Sequence, residues 1–466
     1  SGFTTTGSTV IEGLDQWPRG VILWRSVTQW LGGLGILVLF VAILSTIGGG
    51  AKSLFRNESS FQTGESASAR IRDTALTLWK VYLVLTIACL LGLRLLGMSW
   101  FDATAHAFTC VSTGGFSPYD ASIGHFSNWE TGLGIELWLI LFMLLGSVSF
   151  VIYVVLMRHD WGRLRRQEEG RWFLLLIAAA VVVAVILITV VSKAPFAATV
   201  RGVVFTIVSI SSTTGYVTVD YGLWPVGAHF LLMGLMLVGG CAGSTAGGLK
   251  VSRLILLMRA AYHEIVRAFR PNQVFPVQVN GNPIDETARA QTVLFLALFA
   301  FLSLCSIGVV AILESGTEVD FETSVAAAIA TFANIGPGFG GVGATETFAE
   351  LRPATHFFLA LLMVLAIIAG MFLDPLIPVL VPVILPTLIL YDIDLLHFGV
   401  LMVMAVVIGQ LTPPLAIALI ITSRIANTDQ LRIFVANLPF FVAILLFTVL
   451  LLVFPQLATW LPSQMR

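Results

Sequence analysis

The sequence predicts an all-α integral membrane protein built around a fused pore of four units. Three observations carry that expectation. The 466 residues are 57% hydrophobic and only 11% charged, with a mean hydropathy of +0.93, which leaves too few charges for a soluble globular chain. Apolar runs long enough to cross a bilayer recur along the whole length. A glycine-centred stretch occurs four times, as Thr5-Thr6-Gly7-Ser8, Ser112-Thr113-Gly114-Gly115, Thr213-Thr214-Gly215-Tyr216 and Asn334-Ile335-Gly336-Pro337. Their central glycines stand roughly 100 to 120 residues apart, a long-period internal repeat.

Where the preceding sequence is present, each copy follows an apolar segment too short to span a bilayer. Polar, glycine-bearing backbone at membrane depth is tolerated only where protein buries it or where it lines a wet path. Four such strands around one axis supply a ring of backbone carbonyls and threonine hydroxyls, the donor set of an alkali-cation filter. A single TTG or TGG is more often an ordinary loop. Four at near-regular spacing, three of them preceded by half-length helices, favour the filter.

The elements follow in order. Ser1 to Val10 is the first strand, with no pore helix before it, and the chain is expected to be a fragment lacking upstream helices. Gln29 to Gly50 reads as a spanning helix whose Gly32-Gly33-x-Gly35 run permits close helix contact. In the second unit Leu76 to Leu96 spans, Phe101 to Val111 is a half helix opened by Ser99 and Asp102 at capping-box-like spacing, Ser112 to Tyr119 is the strand, and Gly132 to Met157 spans back. The third unit has Phe173 to Val191 spanning, a turn at Pro195, a half helix near Ala198 to Ser209, the strand Ser211 to Val217, and a return helix from Val226. The fourth has Gln291 to Glu314, a half helix Phe321 to Phe332 capped by Asp320, and the strand Asn334 to Gly338. Each half helix points its partially negative C-terminal end toward the pore, which favours a cation there. The corresponding divisions are 1–50, 51–157, 158–258, 259–352 and a tail, 353–466.

Charge placement sets the orientation. Fourteen of the 25 Lys and Arg lie within Lys52 to Arg72, Arg158 to Arg171 and Lys250 to Arg270. The positive-inside rule puts these segments in the cytoplasm and opens the glycine strands to the other side. The four cysteines and seven histidines are scattered, so neither a disulfide framework nor a metal site is expected apart from the filter cation. No HExxH, GxSxG or GxxxxGK[ST] motif appears, and an integral-membrane enzyme is the weakest of the readings.

Gly239-Gly240-Cys241-Ala242-Gly243-Ser244-Thr245-Ala246-Gly247-Gly248 interrupts an apolar helix. Each glycine costs a helix about 1 kcal/mol relative to alanine, so this stretch should unwind, although a small-residue packing face is an alternative. Glu12, Asp15, Asp120 and Asp220 stand near the strand ends and could concentrate cations there, or be plain solvated loop residues. Arg201 lies inside a half helix, where an unpaired charge is costly. It calls for an acidic partner that the sequence does not identify.

SGFTTTGST, FTCVSTGGFSPYDAS, SISSTTGYVTVDY, ATFANIGPGFG and GGCAGSTAGGLK resemble the filter strands and intramembrane loop of the Trk/Ktr family of potassium-uptake subunits. The resemblance covers roughly Ser1 to Arg352. It implies potassium uptake through a filter of Thr5, Thr6, Gly7, Ser112, Thr113, Gly114, Thr213, Thr214, Gly215, Asn334, Ile335 and Gly336, with Gly7, Gly114, Gly215 and Gly336 as the filter glycines. It makes Gly239, Gly240, Gly243, Ser244, Thr245, Gly247 and Gly248 part of a gate loop beneath that filter, with Lys250 and Arg253 anchoring its cytoplasmic end. It further implies a multi-pass protein of the prokaryotic plasma membrane, a homodimer, and a cytoplasmic nucleotide-binding regulatory subunit. No covalently bound cofactor and no nucleic-acid partner are expected, and potassium is the substrate.

The tail departs from that pattern. GMFLDPLIPVLVPVILP, GQLTPPL and FPQLATWLP resemble the C-terminal part of the large membrane subunit of TRAP transporters, sodium-coupled carriers of organic acids. There Gly409, Thr412, Pro413 and Pro414 form a hairpin tip whose freed carbonyls suit sodium; a proline-kinked packing helix is the alternative. The chain is therefore expected to join two incomplete transporter pieces between Gly343 and Leu359, and by itself to move neither potassium nor an organic acid.

Overall fold

The computed structural model describes residues 1–46, 67–157, 159, 162, 167–193, 195–269, 278–279, 282–283 and 286–370, together with 438 and 444. Two compact units divide at Ala369 and Gly370. Within the first, the described residues are helical apart from loops and a two-residue antiparallel pairing of β1 (Gln278–Val279) with β2 (Asn282–Pro283). The TRAP-like motifs, Gly409, Thr412, Pro413 and Pro414 included, lie outside the described residues.

The first unit opens with a loop that carries the first strand and leads into α1 (Arg19–Thr46). α2 (Ala67–Leu95), α3 (Trp100–Val111), α4 (Gly132–Ser147) and α5 (Phe150–Met157) make the second repeat. α6 (Glu169–Ser192), α7 (Phe196–Ser211), α8 (Val226–Val238) and α9 (Val251–Phe269) make the third. α10 (Glu286–Leu313), α11 (Phe321–Phe332) and α12 (Pro353–Gly370) make the fourth. The stretches Thr77–Leu95, Glu169–Ser192 and Thr292–Leu313 are long and apolar enough to cross a membrane. Leu95, Leu174, Val190, Phe230 and Ile312 on these and neighbouring helices are exposed, and an apolar side chain facing outward along a hydrophobic helix is suited to lipid rather than water.

The shorter helices lie inside. At 1.5 Å per residue, α3 and α11, with 12 residues each, reach about 18 Å, well short of a hydrocarbon core of about 30 Å. Small side chains are buried all round them, Ala103, Ala105 and Ala107 on one and Ala326, Ala327, Ala328 and Ala330 on the other. Both begin as the sequence leads one to expect. The Ser99 side chain accepts the Asp102 N–H (3.1 Å) and that of Asp320 accepts the Thr323 N–H (2.8 Å), each satisfying one otherwise unpaired first-turn donor. The Ser99 hydroxyl also donates to Asp102 Oδ2 (2.7 Å), so Asp102 reaches the side chain of the cap rather than its backbone.

Several elements differ from the sequence expectation: α1 begins at Arg19 rather than Gln29 and α2 at Ala67 rather than Leu76, and one is broken in two. Gly132 to Met157 is not a single helix; it breaks at Val148, which is extended, and restarts at Phe150. The carbonyls freed at the break have partners elsewhere. Ser147 accepts the Cys241 N–H (2.9 Å), Gly146 accepts the Thr245 N–H (3.3 Å), and the Phe150 N–H donates to Gly243 (2.9 Å). The glycine-rich stretch between α8 and α9 therefore sits in the break, and its long-range bonds replace the helical ones.

Candidate functional site

The four strands share one backbone construction. α3 ends at Ser112, α7 at Ser212 and α11 at Ala333. The next residue in each case, Thr113, Thr213 or Asn334, is left-handed (φ 53°, 56° and 64°) and donates its N–H three residues back, to Cys110, Ile210 or Thr331. The residue after that, Gly114, Thr214 or Ile335, donates five residues back, to Thr109, Ser209 or Ala330, at 2.8 to 2.9 Å. This pair of bonds is a Schellman cap. The first strand repeats it with Thr5 (φ 57°) bonded to Gly2 and Thr6 bonded to Ser1. The left-handed position of such a cap is usually glycine, because a side chain there costs about 1–2 kcal/mol. Threonine or asparagine at all four is strain that the surrounding structure must hold, and such strain concentrates at functional sites.

The construction also sets the register. The position after the paired bonds is glycine in every strand: Gly7, Gly115, Gly215 and Gly336, all with positive φ (86°, 77°, 77° and 98°). A Cβ on Gly7 would lie 2.3 Å from the Gly114 carbonyl oxygen, and one on Gly115 would lie 1.8 Å from that of Thr214. A Cβ on Gly215 would meet that of Ile335 at 2.1 Å, and one on Gly336 that of Thr6 at 2.7 Å. Strand one abuts strand two, two abuts three, three abuts four, and four returns to one. The carbonyls in these contacts, from Thr6, Gly114, Thr214 and Ile335, occupy one level of a closed ring.

This register corrects one expected equivalence. Gly115, not Gly114, matches Gly7, Gly215 and Gly336, while Gly114 matches Thr6, Thr214 and Ile335, and Ser112 sits one level back, at the helix cap. Two adjacent glycines look alike in sequence; the end of α3 distinguishes them. A cavity of about 330 Å³ above the ring is lined by the same Gly7, Gly115, Gly215 and Gly336.

Side chains lock two of the neighbouring pairs of strands, each in its own way. Between four and one, the Thr6 hydroxyl donates to Asn334 Oδ1 (2.6 Å), and the Asn334 amide donates to Thr5 Oγ1 (3.2 Å). Between two and three, the Tyr216 hydroxyl lies 2.6 Å from Thr109 Oγ1 and donates to the His106 carbonyl (3.0 Å). Strand two is further fixed by the fully buried Gln29 of α1, whose amide nitrogen donates to the Gly114 carbonyl (2.6 Å) and whose oxygen accepts the Phe116 N–H (3.0 Å). Gln29 was not singled out in the sequence, although a glutamine within an apolar helix was the available signal. Tyr216 likewise reads as an ordinary aromatic until its partners are seen.

Of the acidic residues near the strand ends, Glu12 and Asp120 line the cavity, joined by Glu346. Asp120 accepts the Leu14 N–H (3.1 Å) and Glu12 the Thr347 hydroxyl (3.2 Å). Asp15 and Asp220 are not among the lining residues; Asp220 caps a turn through the Gly222 N–H (2.9 Å). Arg201 finds its partner in Glu136 of α4, a carboxylate that is almost fully buried. The guanidinium donates to both carboxylate oxygens at 2.7 and 2.8 Å and to the Ser127 carbonyl at 3.1 Å. Bidentate geometry is the strong form of this pairing, and it ties α7 to α4.

On the other side of the ring lies the glycine-rich stretch. The Gly247 N–H donates to the Thr213 hydroxyl (2.7 Å), and the Thr245 hydroxyl donates to the Val111 carbonyl (3.2 Å). A Cβ on Gly247 would stand 2.7 Å from the Ala333 carbonyl oxygen. The loop therefore touches the C-terminal ends of three half helices, α3, α7 and α11. Gly239 and Gly248, both with positive φ (69° and 77°), pack together where the loop leaves α8, a Cβ on Gly248 falling 2.7 Å from the Gly239 Cα. Gly240, Gly243 and Ser244 lie in the same loop, and the Lys250 ammonium donates to its Ala246 carbonyl. Arg253 lies over the Phe295 ring, 4.1 Å from its centroid.

Comparison with known proteins agrees with this arrangement. The TrkH family, described as a cation transport protein, matches residues 1–370. The match runs beyond Arg352 and through the stretch 343–359, so it takes in α12; an apolar return helix offers little motif by which sequence reading could extend the likeness that far. The chain is 37% identical over 370 residues to the Trk system potassium uptake protein TrkH of Halomonas elongata, covering 78% of this chain and 74% of that one. It is 35% identical over 371 residues to the protein of the same name from Escherichia coli K12, covering 77% and 73%. The crystal structure of the potassium transporter TrkH from Vibrio parahaemolyticus superimposes with a TM-score of 0.67 at 31% identity, covering 79% of this chain and 74% of that one. The chain belongs to the TrkH family of cation transport proteins.

Proposed function

We propose that the closed ring of four strands is a potassium selectivity filter. The protein is a multi-pass membrane subunit of Trk-type potassium uptake in the prokaryotic plasma membrane, a transporter rather than an enzyme. The observation that carries the filter assignment is the cyclic contact of Gly7, Gly115, Gly215 and Gly336 with the carbonyls of Gly114, Thr214, Ile335 and Thr6. A ring of backbone carbonyls can replace the hydration shell of an alkali cation. The strands run back from half-length helices whose C-terminal ends converge on the ring, and the partial negative charge there lowers the cost of holding a cation below it. Glu12, Asp120 and Glu346 raise the local cation concentration at the mouth.

In this reading the stretch Gly239 to Gly248 is a re-entrant gate beneath the filter, and potassium passes when it moves aside. The first three units follow the divisions 1–50, 51–157 and 158–258, and the fourth runs from 259 past 352 to take in α12 as its return helix. A homodimer with a cytoplasmic nucleotide-binding regulatory subunit on the basic segments is the assembly that fits the family. The organic-acid carrier reading, with its sodium site, gains no support. The test is ion preference. Replacing Gly215 by serine in full-length protein in proteoliposomes should reduce potassium-over-sodium preference at least tenfold. An unchanged preference would refute the assignment.

A further inference from the structure

Glu169 opens α6 and is buried, with 4% of its surface exposed. Its Oε1 accepts two backbone N–H groups, that of Ala242 within the glycine-rich loop at 2.7 Å and that of Ser252 just beyond the loop at 2.9 Å. Ser252 lies in the first turn of α9, so the carboxylate also meets the partially positive end of that helix. The preceding residue, Glu168, pairs with Arg259 two turns further along α9. One short segment thus grips the loop, the start of α9 and its flank, and it lies within the basic stretch Arg158 to Arg171. The filter differs: its strands are bonded to several neighbours, whereas at Gly243 in the loop the carbonyl accepts the Phe150 N–H (2.9 Å) and an added Cβ would meet only the Ser149 hydroxyl, 3.3 Å away.

We propose that Glu169 is a positioning residue that latches the loop shut, so that displacement of the start of α6 releases it. This rests on reading the loop as the gate. Buried backbone donors deprived of their acceptor are costly, so removing the carboxylate destabilises the latched loop and leaves the filter, which it does not touch, unaltered. The energy of both hydrogen bonds belongs to the closed state alone, and a ligand-like contact of that kind shifts an equilibrium by its differential strength.

The experiment measures rubidium influx and potassium-over-sodium preference in full-length protein in proteoliposomes, normalised to folded protein. Glu169→Ala should raise influx about tenfold or more with preference unchanged, and Glu169→Gln, which keeps an oxygen acceptor, should return it to within about twofold of the parent. A cysteine placed at Ser244 should react faster with a water-soluble thiol reagent in the Ala background. Unaltered influx and unaltered labelling in Glu169→Ala overturn the proposal, as does a change of ion preference. Should the alanine variant fail to fold, Glu169→Asp decides: its acceptor is withdrawn by one methylene, and raised influx supports the latch while parental influx refutes it. Deletion of Ala242 to Ala246 separates the two readings. If the deletion opens the path and Glu169→Ala does not, the gate stands without this latch; if neither opens it, the gate reading itself falls.

Discussion

The proposed filter ring and the loop beneath it are both rich in glycine, and both hold several of these glycines at positive φ. They use that freedom differently. In the ring each glycine faces a carbonyl of another strand, within 1.8 to 2.7 Å of where a Cβ would be, so the missing side chains are what lets four strands close on one axis. In the loop Gly239 and Gly248 pack on one another, while a Cβ on Gly243 would meet only the end of one side chain, the Ser149 hydroxyl at 3.3 Å. Absent side chains bring separate segments together in the first case and pinch one segment into a hairpin in the second. A ring fixed from four sides is suited to selecting, and a loop fixed at its neck and tethered at its tip is suited to moving.

The sharpest way to break this comparison is at adjacent positions of strand two. Gly115→Ser should abolish most ion preference, an effect of about tenfold or more. Its Cβ would enter the Thr214 carbonyl oxygen, and no rotamer avoids that. Gly114→Ser should do less, because the group it displaces is the Gln29 side chain, with a closest approach of 2.4 Å. Potassium and sodium competition for rubidium uptake ranks the two. Equal effects would return Gly114 to the place that the sequence alone suggested for it.

Next in size is the loop. Deleting Ala242 to Ala246 should increase cation conduction several-fold with ion preference retained, measured as flux per folded protein. If flux falls in proportion to yield, the segment is packing rather than barrier. Gln29→Leu comes third. It leaves the Gly114 carbonyl and the Phe116 N–H without their buried partner, each worth about 1–3 kcal/mol. Thermal unfolding in detergent should shift down by several degrees and ion preference should relax; a stability loss with intact preference would make Gln29 a scaffold only. The smallest effect is expected from Gly243→Ala. The left-handed backbone there (φ 70°) costs a side chain about 1–2 kcal/mol, and the one close neighbour, the Ser149 hydroxyl 3.3 Å from the added Cβ, can rotate away, so folding and preference should both survive.

Much of this was legible before any coordinates. Phe321 to Phe332 appears as a helix with the bounds expected of it and with Asp320 as its cap, because a polar capping residue, an apolar alanine-rich run and a following glycine strand are all local signals. Arg201 announced the need for a partner. That Glu136 meets it depends on how α4 and α7 cross, which no local pattern records. The break after Ser147 was invisible for a related reason: Gly132 to Met157 is mostly apolar, with neither proline nor a charge near Ser147, and the bonds involving Cys241, Thr245 and Phe150 make interruption favourable.

The membrane class, the fourfold repeat, the half-length helices and the unwound glycine stretch can all be read from the chain alone. All of these follow from hydropathy, length and glycine spacing, which are properties of short windows. Only the tertiary structure decided which glycine of Gly114-Gly115 enters the ring, that Asn334 joins the last strand to Thr5 and Thr6 of the first, that Gln29 supports strand two, and that Glu169 reaches the loop. Each of those depends on a distance between residues far apart in the chain, and backbone carbonyls, which every residue carries alike, become a site only when the fold places four of them on one level.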